Sequence, residues 1–393
     1  MADETRQAPE VHKGLEGVVA DVTSISQVVP ETCSLTYRGH PVPELAESCE
    51  FDEVAWLLWH GDLPGRADLE AFRQAEVAAR PLSPILARLI RSLPRQAHPM
   101  DVVRAAVSVL GMGHPDAPRN DSESLDHQGL QLLAQVPTVI AAFHRLRQGQ
   151  RPIAPRPDLG RSANFFWMVF GEVPDPTIVR AFDVSLILYA EHGFNASTFT
   201  ARVVTSTMAD LHGAVTAAIA ALKGPLHGGA NEAVMRTLAE IGEVANVRPW
   251  LDRALAERRR IMGFGHRVYG SGDSRVPTMR RWGLQVAKAR RDRRWYDIAD
   301  ALEAEMAARK HLHPNLDFPS GPAYHLMGFP WDLFTPIFVM SRLAGWIAHV
   351  REQAAANRLI RHLAAYVGPE PRPVPALDMR RPLSDDTTRW APP

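Results

Sequence analysis

Cysteine is nearly missing from this 393-residue chain: Cys33 and Cys49 are the only two. Two thiols make neither a disulfide framework nor a cysteine-ligated zinc site, and they suit a reducing compartment, so a cytoplasmic location is expected. Lysine is scarce too, confined to Lys13, Lys223, Lys288 and Lys310. The positive charge therefore rests on arginine, whose planar fork fits carboxylates. An excess of either charge is missing, since Lys plus Arg and Asp plus Glu each number 44. That balance argues against nucleic-acid and membrane-surface partners and leaves small-molecule substrates. The opening stretch MADETRQAPEVHKG has no apolar h-region, and no apolar run reaches spanning length, so neither a signal peptide nor a membrane anchor is expected.

Strand patterning is also sparse. Only GLEGVVADVTSISQVV and SLTYRG alternate in a β-like way, and they predict a short N-terminal β-hairpin. With 46% hydrophobic and 22% charged residues the rest can build a large core. It reads as helix after helix: 51–61, around 69–80 and 85–93, MDVVRAAVSVLG, and LLAQVPTVIAAFHRLRQG. The Pro-rich stretch 147–160 reads as an exposed connection. PTIVRAFDVSLILYAEHG is apolar on nearly all sides, which predicts a buried helix delivering Glu191 and His192 at its polar end. The Ala-, Ser- and Thr-rich segment 196–224 should lie deep. Helices are expected over 231–242 and 249–261, then a Gly-rich loop at 263–272, one charged helix over 277–310, and a long helix over about 332–357. The expected fold class is all-α.

Four constellations carry chemistry. GPLHGGANEA, 224–233, frames His227 with glycines that would let a ligand approach the backbone. A helix start there would keep the imidazole neutral and able to polarise a carbonyl, although a structural histidine fits the same frame. Asn231 and Glu232 stand where a phosphate loop needs lysine and a hydroxyl. MGFGHRVYGSGDSR frames His266 in the same way, and Val268 occupies the third glycine position of a dinucleotide fingerprint, which excludes that reading. Arg258, Arg259, Arg260 and Arg267 fit either a phosphate site or a solvated face. In HPNLDFPSG the neighbours Leu316, Phe318 and Pro319 would desolvate Asp317 and raise its basicity, while a turn or cap role stays open. His311 and His313 have no third ligand at a recognised spacing and no HExxH exists, so no metal is expected. In DLFTPIFVMSRLAGWIAHV, Arg342 must be buried, and its partner is either a substrate carboxylate or an internal Asp or Glu.

Taken in order, LYAEHGFNASTF, GPLHGGANE, MGFGHRVYGSGDSR, PNLDFPSG, FVMSRLAGWIAHVREQ and NRLIRHLAAYVGP resemble the citrate synthase family. AEHGFNASTF, GDSRVPTM and GPAYHLMGF are most similar to its 2-methylcitrate synthase branch, which condenses propionyl-CoA with oxaloacetate. The resemblance implies a large helical domain, 14–228 plus 332–369, and a smaller one, 229–331, between tails 1–13 and 370–393. It implies that His227 holds the thioester carbonyl, Asp317 takes the α-proton, and His266 protonates the ketone oxygen of oxaloacetate. His192, Arg275, Arg342 and Arg361 would hold oxaloacetate, Arg361 across a homodimer interface, and Arg260, Ile261, Met262, Gly263 and Phe264 would contact CoA. No cofactor beyond the CoA thioester substrate is implied. The sequence departs from the family pattern at Ser274, His313 and His362. Two other readings stay open: a citrate synthase that prefers acetyl-CoA, and an inactive dimer that binds CoA or a dicarboxylate.

Overall fold

The apolar run around Arg342 forms the helix Phe334–Ala355, in which every residue from Phe334 to Val350 is buried. By length and composition alone the stretch Trp331–Ala355 could cross a membrane, yet its apolar core from Leu333 to Val350 is buried inside the protein. Its sheath consists of the helices Phe51–His60, Ser122–Arg147, Pro176–Tyr189, Ala196–Ser206 and Leu211–Lys223. Two indoles inside this bundle are directed: the Trp59 N–H donates to the Ala344 carbonyl at 2.9 Å, and the Trp346 N–H donates to Ser197 Oγ at 3.1 Å.

The computed structural model describes residues 11–265 and 272–380. Val22–Ile360 is one compact unit; Met1–Asp21 with Arg361–Pro393 is a second. Within the second, the described residues hold two short 3-10 turns, Lys13–Leu15 and Leu377–Met379, and Arg361 is exposed. His266 and Arg267 lie outside the described residues.

Among the described residues there are 16 α-helices and one small antiparallel sheet, Ser26–Val29, Ser34–Tyr37 and His40–Pro41. The expected hairpin is its first two strands, with Val28 opposite Leu35. The third strand, two residues long, escapes a periodicity reading. Tyr37 on the middle strand is fully buried, and its hydroxyl donates to the Glu191 carbonyl at 2.9 Å, which ties the sheet to the polar end of helix Pro176–Tyr189.

Two helix expectations need correction. The charged helix over 277–310 is two helices, Val276–Arg290 and Arg294–Lys310. Arg291 turns left-handed at φ 54° and Asp292 caps the Arg294 N–H at 3.1 Å, so local capping interrupts a favourable helix pattern. The segment expected over 249–261 spans Val247–Ala256, because Arg258 adopts φ 55°. The Ala-rich segment expected to lie deep forms the helices Ala196–Ser206 and Leu211–Lys223, with Asp210 accepting from the Gly213 N–H at 2.8 Å to start the second.

Gly345 marks a close approach of helix Phe334–Ala355 to the chain at 190–191. A Cβ there would meet the Ala190 carbonyl oxygen and the Glu191 carboxylate. Gly345→Ala should therefore destabilise the fold by about 1–3 kcal/mol through overpacking, outweighing the roughly 1 kcal/mol that alanine gains in a helix interior. Urea unfolding checks this, and an unchanged or raised midpoint would contradict the contact.

Candidate active site

A cavity of about 970 Å³ opens where the polar helix ends converge. The described residues bring His192, His227, Arg275, Asp317 and Arg342 together in its wall, along with the whole segment Arg260 to Phe264.

Asp317 is the first residue of helix Asp317–Met327. Burial pushes its carboxyl up to about 6, against the lowering influence of the Tyr189 hydroxyl, Arg275 and Arg342. Tyr189, the last residue of helix Pro176–Tyr189, donates to Asp317 Oδ1 at 2.7 Å, so one carboxylate oxygen is positioned and the other left to react. The desolvation expected from the sequence is thus present, and its main source is the surrounding fold.

His227 lies just ahead of helix Ala230–Ile241. Its imidazole is held down at about 4, first by burial and second by the Arg342 charge. The ring is therefore neutral, as expected, but through desolvation instead of a helix dipole. The Ser197 N–H donates to His227 Nε2 at 3.3 Å, with Ser197 Oγ at 2.9 Å from the same nitrogen. A backbone N–H can only donate, so Nε2 accepts and the ring proton resides on Nδ1. Asn195 in turn accepts from the Ser197 hydroxyl at 2.8 Å and caps the helix at Thr198. Gly228 has a different purpose from the one expected. Its N–H donates to the Leu222 carbonyl at 2.9 Å, and a Cβ would press on Leu222 Cγ at 2.8 Å. It permits a tight exit from the preceding helix.

Arg342 is 2% exposed. Its Nε donates to the Tyr189 carbonyl at 2.8 Å and its guanidinium lies 4.9 Å above the Phe338 ring. Among the described residues no carboxylate comes within ion-pair distance of it, so the internal salt bridge left open by the sequence is not formed there. Phe338 also meets the rings of Tyr189 at 4.5 Å and His227 at 6.5 Å, which makes it the apolar floor between base, imidazole and cation.

Arg275 is held by its neighbour Asp273. Its Nε and Nη2 fork onto Asp273 at 2.9 and 2.7 Å, and the same carboxylate accepts from the Leu316 N–H at 3.2 Å. Asp273 thereby couples the Arg275 turn to the backbone that presents Asp317. The Gly263 and Gly265 stretch pairs antiparallel with residues 313–315, through Asn315 N–H to Gly263 O at 2.9 Å and Gly265 N–H to His313 O at 2.8 Å. Gly263 needs its φ of 87°, and a Cβ would clash with Val234 Cγ2 at 2.6 Å. Of the arginine run beside it, Arg259 forks onto Glu240 at 2.9 Å, while Arg260 is exposed at the cavity edge.

Residue patterns missed Tyr189, Ser197, Phe338 and the role of Asp273. Ser197 was detectable as part of an Asn-x-Ser helix start and Asp273 as a carboxylate two residues before an arginine. Tyr189 and Phe338 carry no local signal, because only tertiary packing brings them to Asp317.

A buried base of raised pKa, a neutral imidazole of fixed tautomer and buried guanidinium groups facing one cavity define an acid–base enzyme of helical fold that handles carboxylate substrates. The family described as "Citrate synthase, C-terminal domain" matches residues 14–363, and the chain belongs to the citrate synthase family. It is 56% identical over 369 residues to a 2-methylcitrate synthase of Mycobacterium tuberculosis, covering 94% of this chain and 93% of that one. It is 55% identical to a citrate synthase of Mycolicibacterium smegmatis, covering 92% and 96%. Its fold matches the citrate synthase of Thermoplasma acidophilum, solved in ternary complex with carboxymethyl coenzyme A and oxaloacetate. That match has a TM-score of 0.89 and 30% identity, over 94% of this chain and 100% of the other.

Proposed function

We propose that the chain is a 2-methylcitrate synthase, condensing propionyl-CoA with oxaloacetate and water to 2-methylcitrate and CoA and also accepting acetyl-CoA. The observation that carries the reading is the meeting of Asp317, His227 and Arg342 around Phe338 in one cavity. In this reading Asp317 removes the α-proton of the thioester while the His227 Nδ1–H holds its carbonyl oxygen, and an enol results. The enol carbon attacks the ketone of oxaloacetate, to which His266 delivers a proton. Arg275, Arg342 and His192 hold the dicarboxylate, and Arg361 completes the clamp from the second subunit of a homodimer. Arg260 to Phe264 cradle CoA with backbone groups. Water then cleaves the condensed thioester, which makes the sequence irreversible without metal or redox chemistry. The residues 229–331 form a smaller domain whose closure excludes water from the enol. The enzyme works in the cytoplasm.

Thiol release with oxaloacetate and either acyl-CoA tests the specific reaction. We expect kcat/KM to favour propionyl-CoA by roughly 10-fold or more, the range that one extra methylene confers in a fitted pocket. A clear preference for acetyl-CoA would make the chain a citrate synthase instead.

A further inference from the structure

Glu191 is a carboxylate to which the proposed reaction gives no task. It is fully buried, stands immediately before His192, and does not itself line the cavity. One of its oxygens is well occupied. Oε1 accepts from the hydroxyl of the cavity-lining Ser26 at 3.0 Å and lies 2.9 Å from His349 Nε2. The backbone is held as well, since the Tyr37 hydroxyl donates to the Glu191 carbonyl at 2.9 Å. Oε2, by contrast, has no hydrogen-bond partner among the described residues. It is turned towards Gly345, where any Cβ would press on it.

His349 does not cancel the charge of this carboxylate. Arg202 Nη1 approaches His349 Nδ1 at 3.2 Å, and a guanidinium N–H can only donate, so Nδ1 accepts and the ring proton resides on Nε2. The imidazole is therefore a neutral donor to Glu191, while Arg202 is paired with Glu352 at 2.7 Å. The cation left to face Glu191 is Arg342. Arg342, Gly345 and His349 share one face of helix Phe334–Ala355, and the carboxylate meets that face at Gly345 and His349. Glu191 thus lies about one helical turn from Arg342, beyond ion-pair distance but in a setting shielded from water, where a charge acts further. Burial alone would raise the Glu191 carboxyl, yet His349, Arg342 and Ser26 hold it below the usual carboxylate range. Burial likewise pulls Arg342 down, and Glu191 is the foremost influence opposing it.

We infer that Glu191 is the resident counter-charge of Arg342, a positioning carboxylate that makes burial of the cation tolerable and sets how firmly the cation takes a substrate carboxylate. The inference rests on the proposed role of Arg342 in holding oxaloacetate. A buried guanidinium with no anion near it is costly, and one locked in a direct salt bridge would have little left for a ligand. A carboxylate one turn away, tied down by Ser26 and His349, supports Arg342 through space without taking its hydrogen bonds. The same charge opposes an arriving dicarboxylate, so part of the attraction of the site is given up for stability.

A double-variant melting cycle on the full chain tests the pairing with no ligand present. Glu191→Gln and Arg342→Gln should each melt below the wild type, because each strands a buried charge, and the double variant should lose less than the sum of the two. Additive losses would overturn the inference. If Glu191→Gln alone does not fold, the double variant should regain a cooperative melt, and its failure to do so would overturn the inference equally. Calorimetric titration of oxaloacetate reads the effect on the site. Glu191→Gln should bind it about tenfold more tightly than the wild type, a sign that mere loss of shape would not give. Equal or weaker binding would overturn the tuning of Arg342 by Glu191. A wild-type chain that binds no oxaloacetate would count against the proposed reaction, and the melting cycle would still decide whether the two charges are paired.

Discussion

Asp317→Asn should lower kcat by on the order of 10³-fold while raising the thermal stability of the chain at neutral pH. The substitution keeps the shape of the side chain and an oxygen to accept from the Tyr189 hydroxyl, but it removes the only atom proposed to take the α-proton. Binding of oxaloacetate, held by arginines, should persist in calorimetry. The stability gain follows from linkage. Burial raises the native carboxyl from 3.8 to about 6, so the folded state holds its proton more tightly than the unfolded chain does. That contribution is complete below the unfolded pKa and is lost as pH rises through about 6, leaving an ionised, desolvated group that costs on the order of 3 kcal/mol above it. Asparagine carries no such charge, so the variant's advantage should grow between about pH 4 and pH 6 and stay level beyond. Wild-type kcat/KM should fall on the acid side of about pH 6 for the same reason. A variant that turns over normally, or that melts earlier than wild type at pH 7, would contradict the assignment of Asp317 as a desolvated base.

This trade between stability and chemistry explains which parts of the molecule were legible in the residues alone. Asp317 stood out because its immediate neighbours are apolar, and Arg342 because a guanidinium in a wholly apolar helix needs a reason. Both signals are local, and both lie on elements whose interior is set by hydrophobic pattern. The predominance of helix and the N-terminal hairpin were legible on the same ground. Boundaries were not, where capping overrides propensity: Arg291 and Asp292 split a helix whose composition favours continuity. Partnerships were the least legible. Tyr189 and Asp317 are separated by 128 positions and His227 and Ser197 by 30, so the bonds that fix an oxygen and a tautomer exist only after the helices pack. The frame of glycines around His227 illustrates the difference. It drew attention to a residue that lines the cavity, while Gly228 itself clears Leu222.

His227→Ala should cost about 10²- to 10³-fold in kcat, the range for losing one donor at a developing oxyanion. The expected role depends on the tautomer, and the tautomer is set from behind the ring. Ser197 presents its backbone N–H, which can only donate, to Nε2, so the imidazole proton resides on Nδ1. Burial and the Arg342 charge keep the ring neutral down to about pH 4, which means that it donates a hydrogen bond throughout the range in which Asp317 is ionised. In the proposed reaction the two groups therefore work on one event: the proton leaves as negative charge moves onto the thioester oxygen. Groups that act on a single step lose their effects together, so the Asp317→Asn, His227→Ala double variant should be little slower than Asp317→Asn alone. Single-turnover kinetics on the four proteins measure this directly. Losses that multiply would place the two residues in separate steps and would remove His227 from enolisation. Exchange of the propionyl α-protons with solvent, followed by NMR, locates the lesion: both single variants should lose it, and a His227→Ala enzyme that still exchanges at the wild-type rate would have its defect after the enol.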